Sequence, residues 1–223
     1  MSDLAAVDHV TLSDTVYRSL CDALIAGQFQ PGERLKIRDL ADQLGTSVTP
    51  VRDAILRLTT DEALVFRSAR DIRIPIMNEA RYLEIRTIRL RLEAIAAEAA
   101  AQIATPRDLD AIGALVSENA LALKAQDYAR CTELNQQFHF LLPTIARLPV
   151  LHGILRRLWL QMGPTIAHSY PAGGSSMVDW HYPVLEALRK RDSTAAAQAI
   201  MDDIYHGGLT ILSHVQKRAT VPA

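Results

Sequence analysis

Apolar residues recur at helical spacing near the start of the chain. Val16, Leu20 and Leu24 repeat every four residues, which places them on one face of a helix over residues 12–27. Gly27 suits the position just beyond a helix C-terminus, because glycine adopts the left-handed backbone conformation there without strain. The pattern therefore predicts one amphipathic helix that ends at Gly27.

Two shorter helices are predicted next. Leu40 and Leu44 indicate a helix that Gly45 stops. The following helix begins near Ser47, a residue type that caps helix N-termini, and it tolerates Pro50 in its first turn. The apolar residues of this third helix that we predict to face inward are Val51, Ala54, Ile55 and Leu58.

Beyond these helices the period changes from helical to alternating. Residues 64–67 and 72–76 predict two strands around a turn at 68–71, and the second strand alternates apolar and polar positions. Three short helices and a β-hairpin therefore fill residues 10–77.

From residue 79 onward the pattern is helical throughout. The first of these helices spans about 79–104 with an apolar stripe at helical spacing, and Thr105 can cap the helix that follows. The other helices are predicted at about 106–126, 127–147, 149–168, 175–191 and 193–217. The joints between them are short, which favours antiparallel neighbours.

We therefore predict a mainly α protein, in which an N-terminal winged helix-turn-helix (three helices plus β-hairpin) precedes an antiparallel six-helix bundle. The boundary falls near 77–79. This gives an N-terminal domain of residues 1–78 and an all-helical domain of residues 79–223.

Composition then limits the class of protein. The 223 residues are 49% apolar, so the chain can bury a core, and a net charge of −1 excludes nucleic-acid binding by bulk charge alone. Two cysteines are too few for a disulfide framework, which fits a reducing compartment. Residues 1–4 show no secretory signal, and no apolar run approaches the roughly 18 residues of a membrane span. We expect a cytoplasmic protein with no membrane partner.

The segment around Gly45 has the spacing of a helix-turn-helix, whose second helix enters the major groove of DNA. A helical wheel points Thr49 and Arg52 outward near the N-terminus of that helix, and Arg52 suits a bidentate contact with guanine. Arg38 suits a phosphate or base contact from the preceding helix. Arg70 lies in the hairpin, where a wing would reach the DNA backbone or the minor groove.

The distribution of charge gives this interpretation less support. Residues 1–78 hold 9 Lys+Arg and 11 Asp+Glu, a net charge of −2, whereas residues 33–73 hold 8 and 7, a net charge of +1. On pattern alone, a generic helical module with solvated arginines therefore stays open as an alternative.

Three stretches within residues 11–76 resemble the winged helix-turn-helix of the GntR family of bacterial transcription regulators. They are residues 26–35 (AGQFQPGERL), 40–45 (LADQLG) and 49–58 (TPVRDAILRL), and the spacing is kept through all three. The resemblance implies binding of double-stranded DNA. The positions that it assigns to DNA contacts are Arg38, Ser47, Thr49 and Arg52.

Three residues depart from the family pattern. Val48 stands where the family usually has arginine, and Ala69 stands at the wing tip, where the family usually has glycine. Lys36 replaces the usual serine or threonine cap of the second helix. These departures imply an altered or weaker operator preference.

Four polar residues lie in or beside the apolar stripes of three predicted helices. Asn135 and His139 are four residues apart and share a helix face. His181 lies within the apolar face of its helix, and Asp203 flanks the apolar stripe of the last helix. Three helices thus aim four ligand-type side chains at one region of the bundle, as helix bundles do when they build metal sites.

A six-helix bundle after this DNA-binding unit resembles the FadR branch of the family, in its VanR-like subgroup, whose C-terminal FCD-type domain binds an effector and dimerises. That branch often carries an Asp or Asn, a His four residues later and two further histidines. Asn135, His139 and His181 match, and Asp203 replaces the last histidine. Such a set suits zinc, nickel or manganese. A polar pocket that binds effector and water without metal is the alternative.

Arg89 occupies the place of an arginine that is characteristic of this branch, and it suits the carboxylate of a ligand. The alternative is a structural pair with Glu93, four residues on. Together with effector contacts at Asn135, His139 and His181, the resemblance implies a small organic acid as effector.

These implications describe a transcription regulator that binds a palindromic operator as a homodimer, with repression the commoner mode in the family. A metal-dependent enzyme that acts on small carboxylates at the same site is one alternative. The chain has no His-Glu-x-x-His, Gly-x-Ser-x-Gly or phosphate-loop motif, so we expect no enzyme. A dimeric scaffold that keeps the DNA-binding unit but binds no effector is the other alternative.

Overall fold

The computed structural model describes residues 11–219, and the expectation about a secretory signal rests on residues outside this range. Three helices and a small sheet come first and form the N-terminal unit: α1 (Leu12–Ile25), β1 (Arg34–Leu35), α2 (Ile37–Gln43), α3 (Val48–Thr60), β2 (Val65–Ser68) and β3 (Asp71–Arg73). Six α-helices follow and form the bundle: α4 (Glu79–Ile103), α5 (Pro106–Lys124), α6 (Tyr128–Ile145), α7 (Pro149–Gly173), α8 (His181–Arg189) and α9 (Ser193–Ala219). The predicted fold class is confirmed.

The helix ends follow the local sequence signals. Thr105 starts α5 with a reciprocal pair of hydrogen bonds to Asp108, in which the Asp108 N–H donates to Thr105 Oγ1 at 3.3 Å and the Thr105 N–H donates to the carboxylate at 2.9 Å. Gly27 and Gly45 both adopt positive φ angles, 69° and 62°, immediately beyond α1 and α2. Ser47 occupies the N-cap position of α3, but its hydroxyl makes no capping hydrogen bond.

Two parts of the fold differ from the sequence prediction. The short strand β1 was not predicted; it pairs antiparallel with β3, which gives a three-stranded sheet of order β1-β3-β2. The predicted helix over 175–191 is divided into a 3₁₀ turn (Gly174–Met177) and α8. The division begins where Gly174, at φ 52°, ends α7, which runs past its predicted end at residue 168.

The N-terminal unit and the bundle share one hydrophobic core. Leu24 and Ile25 of α1 belong to the same buried cluster as Trp159 and Ile166 of α7. A second buried cluster lies inside the bundle, where α4 packs most extensively against α9 through its alanine-rich half. A large shared apolar interface ties the position of one part to that of the other.

The backbones of α1 and α7 approach closely at two glycines. A Cβ atom built on Gly163 of α7 lies 2.3 Å from the carbonyl oxygen of Leu24, and one built on Gly27 lies 2.1 Å from the Cβ of Ala167. Ion pairs flank this contact, with Arg156 to Asp22 and Arg157 to Asp61 at 2.8 Å each. The N-terminal unit therefore sits on α7 in a fixed register.

Two further observations bear on the environment of the protein. Cys21 and Cys131 are both buried, and no disulfide joins them. Among residues 11–219, no helix combines the length and the hydropathy needed to cross a bilayer.

Candidate functional site

One groove collects positive charge on the N-terminal unit, between α2, the start of α3 and the tip of the β2–β3 hairpin. Its cationic side chains, which we call the cationic groove, are Arg34, Lys36, Arg38, Arg52 and Arg70. All of them are exposed. The near-zero net charge of this region conceals the concentration, because the local potential depends on arrangement rather than on the sum.

Three of these cations are free to bind a ligand. The guanidinium groups of Arg38, Arg52 and Arg70 form no ion pair and no side-chain hydrogen bond with any residue of 11–219. Ser47 and Thr49 are also exposed, at the N-terminus of α3 beside the groove. The structure thus places Arg38, Arg52 and Arg70 in one groove, while Ser47 and Thr49 are exposed at the adjoining start of α3.

The remaining charges of this face serve to hold its shape. The Nε–H of Arg34 donates to the backbone carbonyl of Arg70 at 2.7 Å, which fixes the hairpin tip against β1. In the hairpin, Arg67 and Arg73 both pair with Asp71, at 3.8 and 2.7 Å. Arg34 was not among the sequence candidates, since its role depends on the unpredicted strand β1.

Three helices of the bundle bring His139, His181 and Asp203 together, which we call the buried cluster. All three side chains are buried, and one nitrogen or oxygen of each lies within 4.8 Å of the others. His139 Nε2 is 3.4 Å from Asp203 Oδ2, and His181 Nε2 is 3.5 Å from Asp203 Oδ1. These separations match ligand atoms placed about 2.1 Å from a tetrahedral zinc ion, which lie about 3.4 Å apart.

Glu93 of α4 orients His139. The carboxylate can only accept, so the Nδ1–H of His139 donates to Glu93 Oε2, at 2.5 Å. In the neutral ring, Nε2 on the side of Asp203 would then be available to bind a metal ion. A carboxylate behind the histidine is the usual way in which a metal-binding imidazole is held in one tautomer.

Arg89 balances the charge of Glu93. Its Nε–H donates to Glu93 Oε1 at 2.6 Å, both side chains are buried, and its guanidinium lies over the Trp159 ring at 4.6 Å from the centroid. Burial raises the pKa of Glu93, but Arg89 and His139 outweigh this effect and lower the pKa to about 2. The structural pair that the sequence left open as an alternative is therefore present.

His181 and Asp203 are buried at an electrostatic cost. Burial lowers the pKa of His181 well below its usual value, and neither ring nitrogen has a hydrogen-bond partner. Burial also raises the pKa of Asp203 to about 6. A divalent cation bound between them would give both nitrogen and carboxylate a partner, so these residues fit the metal that the sequence implied.

A small cavity opens beside the buried cluster. Its free volume is about 30 Å³, the room of about one water molecule. Asn135 lies on its wall one turn before His139, as the sequence predicted from their spacing. The walls also include Arg86 and Arg89 of α4, Met162 and Ile166 of α7, and Gly207 and Gly208 of α9.

Comparison with known proteins finds a matching family model for each of the two parts of the chain. Residues 12–74 match the family model of bacterial regulatory proteins of the gntR family, and residues 84–206 match the FCD domain. The transcriptional regulator McbR of Escherichia coli is 30% identical over 206 residues, which cover 91% of this chain and 93% of McbR. The chain belongs to the GntR family. It is a transcriptional regulator of that family with a DNA-binding unit followed by an FCD domain.

Other relatives of this GntR regulator extend the likeness. The Nta operon transcriptional regulator of Aminobacter aminovorans is 28% identical over 202 residues, which cover 86% of each chain. The solved structure of E. coli McbR/YncC superposes with a TM-score of 0.84 at 28% identity, over 94% of this chain and all of that one. A putative GntR regulator from Rhodococcus sp. RHA1 shares the fold, with a TM-score of 0.74 at 19% identity over 90% of this chain and 97% of that one.

Two residues of the GntR regulator's buried site were not singled out from the sequence as site residues. Glu93 was considered only as a partner of Arg89 within one helix, because its contact with His139 joins residues 46 positions apart. Arg86 lies on the same face of α4 as Arg89, one turn before it. A signal for it was available, since residues 82, 86, 89 and 93 share a helix face.

Proposed function

We propose that this regulator is a repressor that binds a palindromic operator as a homodimer in the cytoplasm, and that a small organic acid in the bundle cavity controls its DNA affinity. The observation that carries this proposal is the double role of α7. Met162 and Ile166 of α7 line the cavity, and Gly163 between them touches the backbone of α1. A ligand that moves this wall therefore acts on the N-terminal unit directly.

On the DNA side, α3 lies in the major groove in this proposal. Arg52 and Thr49 face the base edges, where a bidentate arginine–guanine pair contributes about 1–3 kcal/mol of discrimination. Arg38 and Ser47 bind the phosphate backbone at the groove entrance, and Arg70 follows the backbone or minor groove from the wing. Val48 supports a weaker or altered operator preference, because an exposed apolar side chain stands in the groove where the family has arginine.

On the effector side, the proposed metal ligands are His139, His181 and Asp203, with Asn135 beside them on the cavity wall. Zinc, nickel and manganese all suit two imidazoles with oxygen donors. When bound, such an ion supplies a Lewis-acidic position for an oxygen of the effector. Arg89 contributes by holding Glu93, and Asn135 offers a polar contact to the acid.

The proposed dimer interface is an apolar surface on α4 and α7. It includes side chains that are left exposed in one chain, namely Ile88 (38% exposed), Ile95 (50%), Val150 (78%) and Ile154 (44%). Leu92, Leu148 and Leu151 form a groove with the last two. An apolar patch of this kind on a regulator of palindromic DNA is suited to a second copy of the chain.

The DNA contact is tested with Arg52→Ala. We expect operator affinity to fall by about 1–3 kcal/mol, roughly tenfold to a hundredfold, with relaxed specificity at one base pair. The measurement is fluorescence anisotropy with a duplex selected from a random pool by the wild-type protein. Arg107→Ala on α5, an exposed arginine outside the groove, is the matched control. If Arg52→Ala binds like the wild type, α3 is not the recognition helix.

The metal site is tested by comparing neighbouring aspartates of α9. Asp203→Ala should lower the affinity for Zn²⁺ or Mn²⁺ at least about tenfold, the loss that follows removal of a residue that only orients a ligand. Asp202→Ala should not, because Asp202 accepts a hydrogen bond from Gln198 at 2.8 Å, outside the cluster. Competition with a chelating dye measures both. Equal affinities in the two variants would remove the metal from the proposal.

A further inference from the structure

Arg86 lines the cavity and, unlike Arg89, forms no ion pair with any residue of 11–219. Its Nε and Nη1 atoms are buried and have no hydrogen-bond partner, and no carboxylate within residues 11–219 pairs with it. Its guanidinium lies over two aromatic rings, 5.6 Å from the centroid of Tyr82 and 5.3 Å from that of Tyr205. Leaving these two buried donor nitrogens without acceptors costs free energy, which an incoming anion would recover.

Arg89, three residues on, is in a different situation. Its charge is cancelled by Glu93, which it binds at 2.6 Å, and Trp159 covers its guanidinium. A carboxylate bound at Arg89 would compete with Glu93 and so disturb the orientation of His139. The same carboxylate bound at Arg86 would displace no partner.

The helix opposite Arg86 approaches it closely at a pair of glycines. Gly207 and Gly208 stand together in the middle of α9 and line the cavity. Glycine inside a helix is less stable than alanine, so a pair of glycines in the middle of α9 indicates a close approach by another part of the chain. A Cβ atom on Gly208 would lie 2.6 Å from the Tyr82 hydroxyl, which donates a hydrogen bond to the Gly208 carbonyl at 2.7 Å, and 3.3 Å from the Arg86 side chain. Glycine at this position therefore lets both side chains pack closely against α9.

We propose that Arg86 binds one carboxylate of a short dicarboxylate effector, whose other carboxylate lies at the buried cluster of His139, His181 and Asp203. This assignment rests on the effector role proposed above and gives it a ligand class. With a divalent ion at the cluster, the ion and Arg86 outweigh the single Asp203 carboxylate by two positive charges, while Arg89 and Glu93 cancel. A dianion neutralises this cavity, whereas a monoanion leaves a buried charge.

The test compares acids that differ in one charged end. The Mn²⁺-loaded full chain is titrated calorimetrically with malonate, succinate and glutarate, and with the half-amide of each. For the best of the three, the wild type should prefer the diacid at least about tenfold, because a buried hydrogen bond to a charged group contributes about 1.5–3 kcal/mol. In Arg86→Gln this preference should fall to about one, because neither end then meets an arginine. Mn²⁺ affinity, read by electron paramagnetic resonance, should stay unchanged.

Two other variants keep the result interpretable. Arg91→Gln, an exposed arginine on the same helix, should keep the wild-type preference. Arg86→Lys should retain part of it, because the charge remains and the paired N–H donors do not. A lowered melting temperature in Arg86→Gln with an unchanged acid preference would show that Arg86 only stacks on the tyrosines, and would overturn the proposal.

The other possible outcomes either contradict the dicarboxylate assignment or separate it from the proposed control of DNA binding. If none of the three acids binds the wild type, or if the preference survives in Arg86→Gln, the dicarboxylate assignment is wrong. Operator affinity is measured separately with and without the acid. An acid that binds through Arg86 without changing operator affinity would support this inference and reject the proposed control of DNA binding.

Discussion

At the scale of single residues, the buried site is organised as a chain of charges. Arg89 holds Glu93, Glu93 holds His139, and His139 faces Asp203. Each group is buried, so each depends on its neighbour for a partner, and a change at one end is transmitted to the next. The chain begins on α4 and ends on α9, so it also fixes the relative position of these helices.

This dependence predicts a structural effect for Arg89→Ala. The substitution leaves the Glu93 carboxylate buried with only His139 as a partner, and breaking a buried ion pair on one side costs about 3–5 kcal/mol. We expect the free energy of unfolding to fall by about that amount in urea denaturation. Arg91→Ala on the exposed face should change it by less than about 0.5 kcal/mol. Similar unfolding curves for the two variants would contradict this assignment.

The sequence identified most of these residues and offered the Arg89–Glu93 pair as an alternative, but it did not identify the contact between Glu93 and His139. Spacing along one helix is enough to place Asn135 with His139, since it follows from 3.6 residues per turn. The contact between Glu93 and His139 depends on how α4 packs against α6, which no local pattern encodes. Helix periodicity places Arg86 on the same face of α4 as Arg89 and Glu93, but its lack of a carboxylate partner within residues 11–219 depends on how the helices pack.

At the scale of helices and strands, α7 is the element that joins the two parts of the molecule. Gly163 allows the backbone of α1 to approach, and the next residue, Pro164, has no N–H to donate to the carbonyl four residues earlier. The helix thus lacks one stabilising bond at the turn where it carries the N-terminal unit. This is the turn that also borders the cavity.

Two glycines of α7 give a matched test of this contact. Gly163→Ala should lower the melting temperature and weaken operator binding, because its Cβ would lie under 3 Å from backbone atoms of both Leu24 and Ile25, which must shift. Gly153→Ala meets no atom within 4 Å, so it should stabilise the protein by about 0.5–1 kcal/mol through helix propensity alone. Calorimetric melting of both variants separates the effects. A raised melting temperature in both variants would show that the contact at Gly163 carries no constraint.

Sequence periodicity predicted the helices better than the connections. The helices over 79–104 and 106–126 were predicted within about two residues, because long apolar stripes and the Thr105 cap define them. Strand β1 was missed because two residues show no alternation. The break before His181 was missed because no glycine or proline lies in residues 178–180, where the chain leaves the helix after Met177.

At the scale of the whole molecule, the proposed dimer sets the spacing of two DNA-binding units. The α4–α7 surface lies on the bundle, so each N-terminal unit stays available to one half-site. Rigid attachment through the shared core would then fix the distance between the two recognition helices.

The proposed interface predicts that a single charge introduced on it weakens the dimer. Ile154→Glu should weaken the dimer by about 2 kcal/mol or more, roughly 30-fold, because it buries an unpaired carboxylate in an apolar interface. Sedimentation velocity at micromolar concentration should show monomer, and operator binding should weaken in parallel. Leu121→Glu on α5, an apolar residue that is 64% exposed and lies outside this surface, is the control. A dimer that survives Ile154→Glu uses another face.

The small size of the bundle cavity has a consequence for selectivity. At about 30 Å³ it holds about one water molecule, so the organic acid proposed above requires its walls, which include Met162 and Ile166, to move. A ligand small enough to fit the cavity without moving α7 would leave the N-terminal unit in place and would not change DNA affinity. Signalling would therefore begin only at a threshold of ligand bulk, so that the regulator discriminates by volume before it discriminates by charge.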